Sequence, residues 1–165
     1  MKTQHANPDT VSTSGIPSPE AVVRRLIDEG FSLGRLEVAD ELVAEGCLEH
    51  QDFGPNHPPG PDGVKAVIAS LHRAFSDYRL IIEALCAQGD LVWTRNVSTG
   101  TNDGSFFGYA PTGRPMRITV FDVMRVAGRK VVEHWGVPDR LGVLVQLGVL
   151  QPPRRPRARS GRGTK

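Results

Sequence analysis

Ile118-Thr119-Val120-Phe121-Asp122-Val123-Met124, then Ala127-Gly128-Arg129, then Val131-Val132-Glu133-His134-Trp135, read as two apolar strands joined by a glycine turn. Side chains alternate along a strand, so Asp122 shares a face with Ile118, Val120 and Met124, while His134 shares one with Val132 and Gly136. If Val126 pairs with Lys130 across a three-residue loop, Asp122 falls directly opposite His134. A carboxylate on an apolar face is desolvated, which raises its pKa unless a cation or donor lies close; a cross-strand imidazole is such a partner. Acid and base chemistry near neutral pH follows from that pairing. The alternative is a buried Asp–His hydrogen bond that only fixes strand register.

Outward from this hairpin, everything after Tyr78 is strand-like, with runs at 78–87, 91–100, 116–126 and 130–137. Gly89-Asp90, the glycine-rich stretch 100–114 and Ala127-Gly128-Arg129 separate them. Helices precede the strands. Ser18-Pro19-Glu20 caps and starts the first, whose stripe is Val22, Val23, Leu26 and Ile27. After Gly34 a short helix is predicted over 36–44, with Leu36, Ala39, Leu42 and Val43 inward, followed by a brief strand at 47–51. The stretch 52–62 holds four prolines and two glycines and reads as a loop over a cavity mouth. Asp62 is expected to cap a third helix over 63–75, with Val64, Val67, Ile68 and Leu71 on one face and His72 and Phe75 near its end. Pro138 ends the last strand, and Asp139 is expected to cap a short helix through Leu147. Helices first and a meander of strands afterwards predict an α+β domain with helices on one face of an antiparallel sheet.

The chain has 165 residues, which suits one domain over 18–150 between polar, proline-rich tails at 1–17 and 151–165. Such a domain can bury a core and still enclose a small-molecule cavity. The net charge of +2 misleads, because Arg154, Arg155, Arg157, Arg159, Arg162 and Lys165 all follow Leu150; removing these six cations leaves −4. The domain itself is therefore mildly acidic and offers no basic face for reading nucleic acid. The tail could touch RNA, DNA or anionic lipid weakly, or simply be a solvated terminus. Cys47 and Cys86 have no paired spacing, which argues against a disulfide scaffold or zinc site. With no apolar leader region and no run long enough for a membrane span, a soluble cytoplasmic protein with free thiols is expected.

Several other residues invite a chemical reading. His50 beside the proline-rich loop could reach a cavity as a donor or second base, or be a surface histidine. His50, Asp52 and His57 match no common metal-ligand spacing. Trp93 and Arg95 share a strand face; inward, Arg95 could clamp a carboxylate, an enolate or Asp122, and outward it would be a surface residue. Trp93 reads as core or cavity wall. The glycines of 100–113 lack a following lysine and helix, so they serve turns rather than phosphates. No Gly-x-Ser-x-Gly elbow exists, and neither cysteine is tied to a histidine by a known signature, which argues against hydrolase triads.

Taken in order, Ala74-Phe75-Ser76-Asp77, Gly89-Asp90, Gly100-Thr101-Asn102-Asp103-Gly104-Ser105-Phe106-Phe107-Gly108, Pro111-Thr112-Gly113, Arg125, Gly128-Arg129-Lys130, Glu133-His134-Trp135, Asp139 and Gln146-Leu147-Gly148 resemble the SnoaL-like polyketide cyclase family, also labelled ester cyclases. The resemblance spans roughly 19–148. It implies the cone-shaped α+β fold of nuclear-transport-factor-two-like proteins, a curved sheet wrapped round helices and enclosing a deep apolar pocket. It also implies action without cofactor or metal, an intramolecular aldol closure of a polyketide ring, a small-molecule substrate and dimerisation through the sheet.

The departures from that family are specific. Its founding cyclases carry the acid/base aspartate two residues after the last-strand histidine, and here that position is Gly136. Where they keep a histidine on the preceding strand, this chain has Asp122; their glutamine two residues earlier is Val120, and an early-strand asparagine is His50. The frequent Gly-Thr-His reads Gly100-Thr101-Asn102. The carboxylate has either moved by one strand, making Asp122 the base and His134 its positioning partner, or the pocket performs another step such as epoxide opening, isomerisation or cofactor-free hydroxylation. The limonene-epoxide-hydrolase type needs an Arg-x-Asp pair where this chain reads Arg95-Asn96-Val97. The expected site is thus Asp122 and His134 as catalytic residues, with His50, Trp93, Arg95, Phe75, Asn102 and Met124 against the substrate. The rival is a non-catalytic binding or dimerisation module with its pocket filled by Phe106, Phe107, Met116 and Met124.

Overall fold

A computed structural model describes Gly15 and residues 17–151. The predicted tails fall outside the described residues apart from Gly15, Pro17 and Gln151, and the basic run from Arg154 to Lys165 falls there entirely.

Ser18 caps α1 (Pro19–Arg25) by accepting from the Ala21 N–H at 3.3 Å. The helix runs on into a wider π-helical segment, Leu26–Phe31, and buries Val22, Val23, Leu26 and Ile27. Next, α2 (Glu37–Leu42) buries Val38, Ala39 and Leu42; Leu36, expected inward, stands before the helix and is exposed. The first strand, β1 (Val43–Glu49), begins four residues before its predicted start. After the proline-rich loop, α3 (Gly60–Ala74) starts at Pro59, so Asp62 lies within the first turn instead of capping it. Ile68 is fully buried, whereas Val64, Val67 and Leu71 are half-buried because that side of α3 walls a cavity.

The remaining strands are β2 (Arg79–Gln88), β3 (Leu91–Thr101), β4 (Pro115–Ala127) and β5 (Lys130–Pro138), followed by α4 (Arg140–Gln146). Asp139 caps α4 by accepting from the Gly142 N–H at 2.7 Å, as expected. The sheet order is β1-β5-β4-β3-β2. Four strands form the predicted antiparallel meander, but β1 pairs with β5 in parallel, so the sheet is mixed. The reason is the crossover: α3 carries the chain from β1 at one edge to β2 at the other, and β1 is left to run alongside the last strand. Pairing irregularities in β1–β5, β2–β3 and β4–β5 accompany the curvature that wraps this sheet round the helices.

The β4–β5 register differs from the expected one. Ala127 pairs with Lys130 across a two-residue turn, Gly128-Arg129, with Gly128 at φ +63°, and a bulge follows between Arg125 and Val126. Asp122 therefore lies opposite Gly136, and His134 opposite Met124. The slip is two residues, so both side chains stay on the inner face; a slip of one would have put Asp122 into solvent.

Candidate functional site

The inner sheet face, the π-helical segment Leu26–Phe31 and α3 enclose a cavity of about 550 Å³. Ile27, Leu71, Phe75, Leu80, Ile118 and Met124 give it apolar walls, and residues of the 52–57 loop and of α4 line it as well. That volume is in the range of small-molecule sites. Phe106, Phe107, Met116 and Met124, which the non-catalytic reading needs as filling, line the cavity and leave it open.

Polar groups gather at one place in this apolar wall. His134 Nε2 lies 3.2 Å from Asp122 Oδ1, and its Nδ1 lies 2.8 Å from Glu49 Oε2, so the ring is held between two carboxylates. Asp122 Oδ2 accepts from Asn96 Nδ2 at 2.7 Å, and the same amide nitrogen donates to Thr94 Oγ1 at 2.8 Å. Asn96 and Thr94 are buried, and Asp122 is only 7% exposed. Burial alone would lower the His134 pKa, but its hydrogen bonds to Asp122 and Glu49 outweigh that and carry it up to about 9. At neutral pH the ring is an imidazolium that donates from both nitrogens. Asn96 Oδ1 is the one buried side-chain oxygen or nitrogen among the described residues without a hydrogen-bond partner.

Tyr78 and Ser98 also line the cavity. Burial pushes the Tyr78 phenol up to about 12, against the opposing effect of its hydrogen bond to Ser98, so it is a neutral proton donor. Burial likewise pushes the Cys47 thiol up to about 11, with Glu49 and Glu133 adding to the effect, which makes it a poor nucleophile. Where the 52–57 loop meets α4, Arg140 Nη2 donates to the Asp52 carbonyl at 2.7 Å, and Phe53 stacks on His57 at 4.5 Å.

The structure brings Asp122, His134, Phe75 and Met124 to one cavity and leaves four other expected residues outside it. Arg95 points outward to an ion pair with Glu83, and Trp93 is 49% exposed on the same outer face. The inner face of β3 is the alternate set Val92, Thr94, Asn96 and Ser98, which turns Trp93 and Arg95 away. His50 stacks on Trp135 with ring centroids 4.7 Å apart and holds Glu133 Oε1 at 2.9 Å, on the outer side of the β1–β5 edge. Asn102 is buried away from the cavity: it donates to the Ala74 and Gly104 carbonyls and accepts from the Thr112 N–H at 2.9 Å. His50, Asp52 and His57 form no cluster; among the described residues no three His, Cys, Asp or Glu side chains gather as a metal-holding group.

Asn96, Glu49, Gln51 and Tyr78 were not among the expected site residues. A sequence signal existed for the first: Thr94, Asn96 and Ser98 form a period-two polar stripe in a strand whose flanks are apolar. Glu49 ends β1 and Gln51 follows it in the next loop; the parallel docking of β1 against β5 is not written in the sequence.

The profile of the SnoaL-like polyketide cyclase family matches residues 21–147. The aklanonic acid methyl ester cyclase DauD of Streptomyces sp. (strain C5) is 27% identical over 158 residues, covering 87% of this chain and 94% of that protein. Its counterpart DnrD of Streptomyces peucetius is 29% identical over 133 residues, covering 77% and 88%. Among solved structures, IdmH from Streptomyces antibioticus superposes with a TM-score of 0.70 at 34% identity, covering 80% of this chain and 99% of that one. TsrD from Streptomyces laurentii, at 21% identity and a TM-score of 0.72, shares the fold. Among the described residues no helix is long and apolar enough to cross a membrane.

Proposed function

The chain belongs to the SnoaL-like polyketide cyclase family, and we propose that it is a cofactor-independent cyclase in which Asp122 and His134 work as an acid–base pair on a polyketide-like ester. The observation that carries this reading is the Glu49–His134–Asp122–Asn96 hydrogen-bonded chain, opening on an apolar cavity.

Asp122 takes the proton from an activated carbon of the substrate, and the resulting enolate attacks a carbonyl carbon of the same molecule. The protonated His134 gives its Nε2 proton to the carbonyl oxygen as the carbon–carbon bond forms. The proton on Asp122 then passes across the 3.2 Å contact to His134, and both groups return to their starting state. No electrons or other reactants enter. Tyr78 supplies a neutral donor for an enolate oxygen, and Asn96 keeps the Asp122 carboxylate in one orientation. The relatives' named substrate, aklanonic acid methyl ester, is the first compound to assay. Asp122→Asn is expected to lower its turnover by at least ~10²-fold in a protein that still folds; near-wild-type turnover would remove Asp122 from the mechanism.

Self-association through the outer sheet face is part of the same reading. Trp93, Phe121 and Val137 are exposed on neighbouring strands there, and single exposed apolar residues are common whereas a contiguous group is not.

A further inference from the structure

We infer that Gln51 is a substrate-binding residue of this cavity, its carboxamide offering an acceptor and a donor to a polar group of the substrate beside Asp122 and His134. The inference rests on the cyclase reading above and adds to it a group from a different segment of the chain.

The geometry starts from Gly136. A β-carbon at that position would stand 2.2 Å from Gln51 Oε1, 2.9 Å from His134 Cε1 and 3.0 Å from Asp122 Oδ1. The first of these atoms is the far end of a flexible side chain, and it lies over the bare face of Gly136, close to His134 and Asp122. Three polar side chains, from the loop after β1, from β4 and from β5, thus converge on one point at the cavity wall. Gln51 lines that cavity. Its backbone N–H donates to Glu49 Oε1 at 2.7 Å, which fixes the residue next to the same carboxylate that holds His134 Nδ1. Its carboxamide, by contrast, makes no hydrogen bond among the described residues, so a donor and an acceptor are left for a ligand.

The location is also chemically consistent. His134 is faced by Asp122 from β4 and by Glu49 from β1, so a neutral amide completes the ring of groups without adding a third charge.

The test combines turnover of aklanonic acid methyl ester with an NMR titration of the His134 Cε1–H in the ligand-free full chain. Gln51→Ala is expected to lower kcat at least about tenfold with an unchanged melting temperature, since the amide binds substrate and not the fold. Gln51→Glu keeps the shape, lacks the N–H donor and adds a charge: turnover stays as low as in Gln51→Ala, and the His134 midpoint rises above the wild-type value. A wild-type kcat in Gln51→Ala, alongside a crippled Asp122→Asn, overturns this inference and leaves the cyclase reading standing. An unmoved His134 midpoint in Gln51→Glu overturns the placement of the amide. Absence of wild-type turnover, or full turnover in Asp122→Asn, overturns the cyclase reading and this inference with it.

Discussion

Two hydrogen-bonded regions of this molecule differ in what their residues hold. One is the clasp between the end of α3 and the 101–113 loop. There Ser76 and Asp103 bond each other, Asp77 accepts from the Thr101 N–H and hydroxyl, and Asn102 ties Ala74, Gly104 and Thr112 together. Asp77 and Asp103 are held below the usual carboxylate range by those hydrogen bonds, from Thr101 and Ser76 respectively. Even Gly104 is forced, because a β-carbon there would stand 1.8 Å from the Arg73 carbonyl oxygen. The other region is the cavity chain of Glu49, His134, Asp122 and Asn96. In the clasp each hydrogen-bonding group is matched within the protein; in the cavity chain the imidazolium carries a proton beside an open apolar space, and an amide oxygen of Asn96 is unpartnered. Of the departures from the family pattern, Asn102 belongs to the clasp and His50 to the outer side of the sheet edge, while Val120 and Asp122 line the cavity.

That contrast breaks most sharply at Asp122. Asp122→Asn is expected to cost at least ~10²-fold in turnover while thermal unfolding stays cooperative, and Asn102→Ala should do the reverse. Loss of the buried Asn102 amide removes its hydrogen bonds to the Ala74 and Gly104 carbonyls and the Thr112 N–H, so about 2 kcal/mol of stability should disappear, with kcat per folded molecule unchanged. A chemical-denaturation midpoint read beside an activity assay separates the two. Comparable losses of both properties in both variants would erase the distinction between clasp and site.

His134 links the two properties through pH. Its pKa is raised on folding from 6.5 to about 9, so the stability it contributes is fully present below pH 6.5 and is lost as pH rises through about 9. Integrated over that window, the loss is on the order of 3 kcal/mol. Turnover should fall over the same upper limb as the imidazolium gives up its proton. Asp122→Asn removes one of the partners that raise this pKa, so the stability limb should move to lower pH in that variant. A limb that stays in place would mean that Glu49 alone holds the proton. The smallest expected effect concerns the outer face: Phe121→Arg should leave turnover and unfolding near wild type and shift sedimentation toward a smaller species. An unchanged sedimentation profile would detach Phe121 from self-association.

Much of the fold was legible because it rests on local signals. The Ser18 and Asp139 caps, the prolines of 52–62, the glycine turns and the period-two strands each predict a boundary within a few residues. The parallel pairing of β1 with β5 was not legible, since nothing in Val43–Glu49 specifies which edge it joins. At the site, Asp122 was visible as a carboxylate on an apolar strand face, and His134 as its neighbour across a hairpin. Their relative register was off by two because a tighter turn and a bulge replace the three-residue loop. For Arg95 the sequence leaves inward and outward open, and the polar alternates Thr94, Asn96 and Ser98, which face inward, turn both Arg95 and Trp93 to the outer face. Glu49 and Gln51 could not be joined to the site at all, because they reach it only through the parallel edge and the loop beyond it.

If Asp122 and His134 act as one acid–base unit, a double-mutant cycle on turnover shows it directly. Asp122→Asn, His134→Gln and the double variant are compared with wild type on aklanonic acid methyl ester. For a single unit, the double variant loses no more than a few-fold beyond the worse single variant. Losses that multiply, so that each substitution costs as much with its partner absent as with it present, would contradict the account.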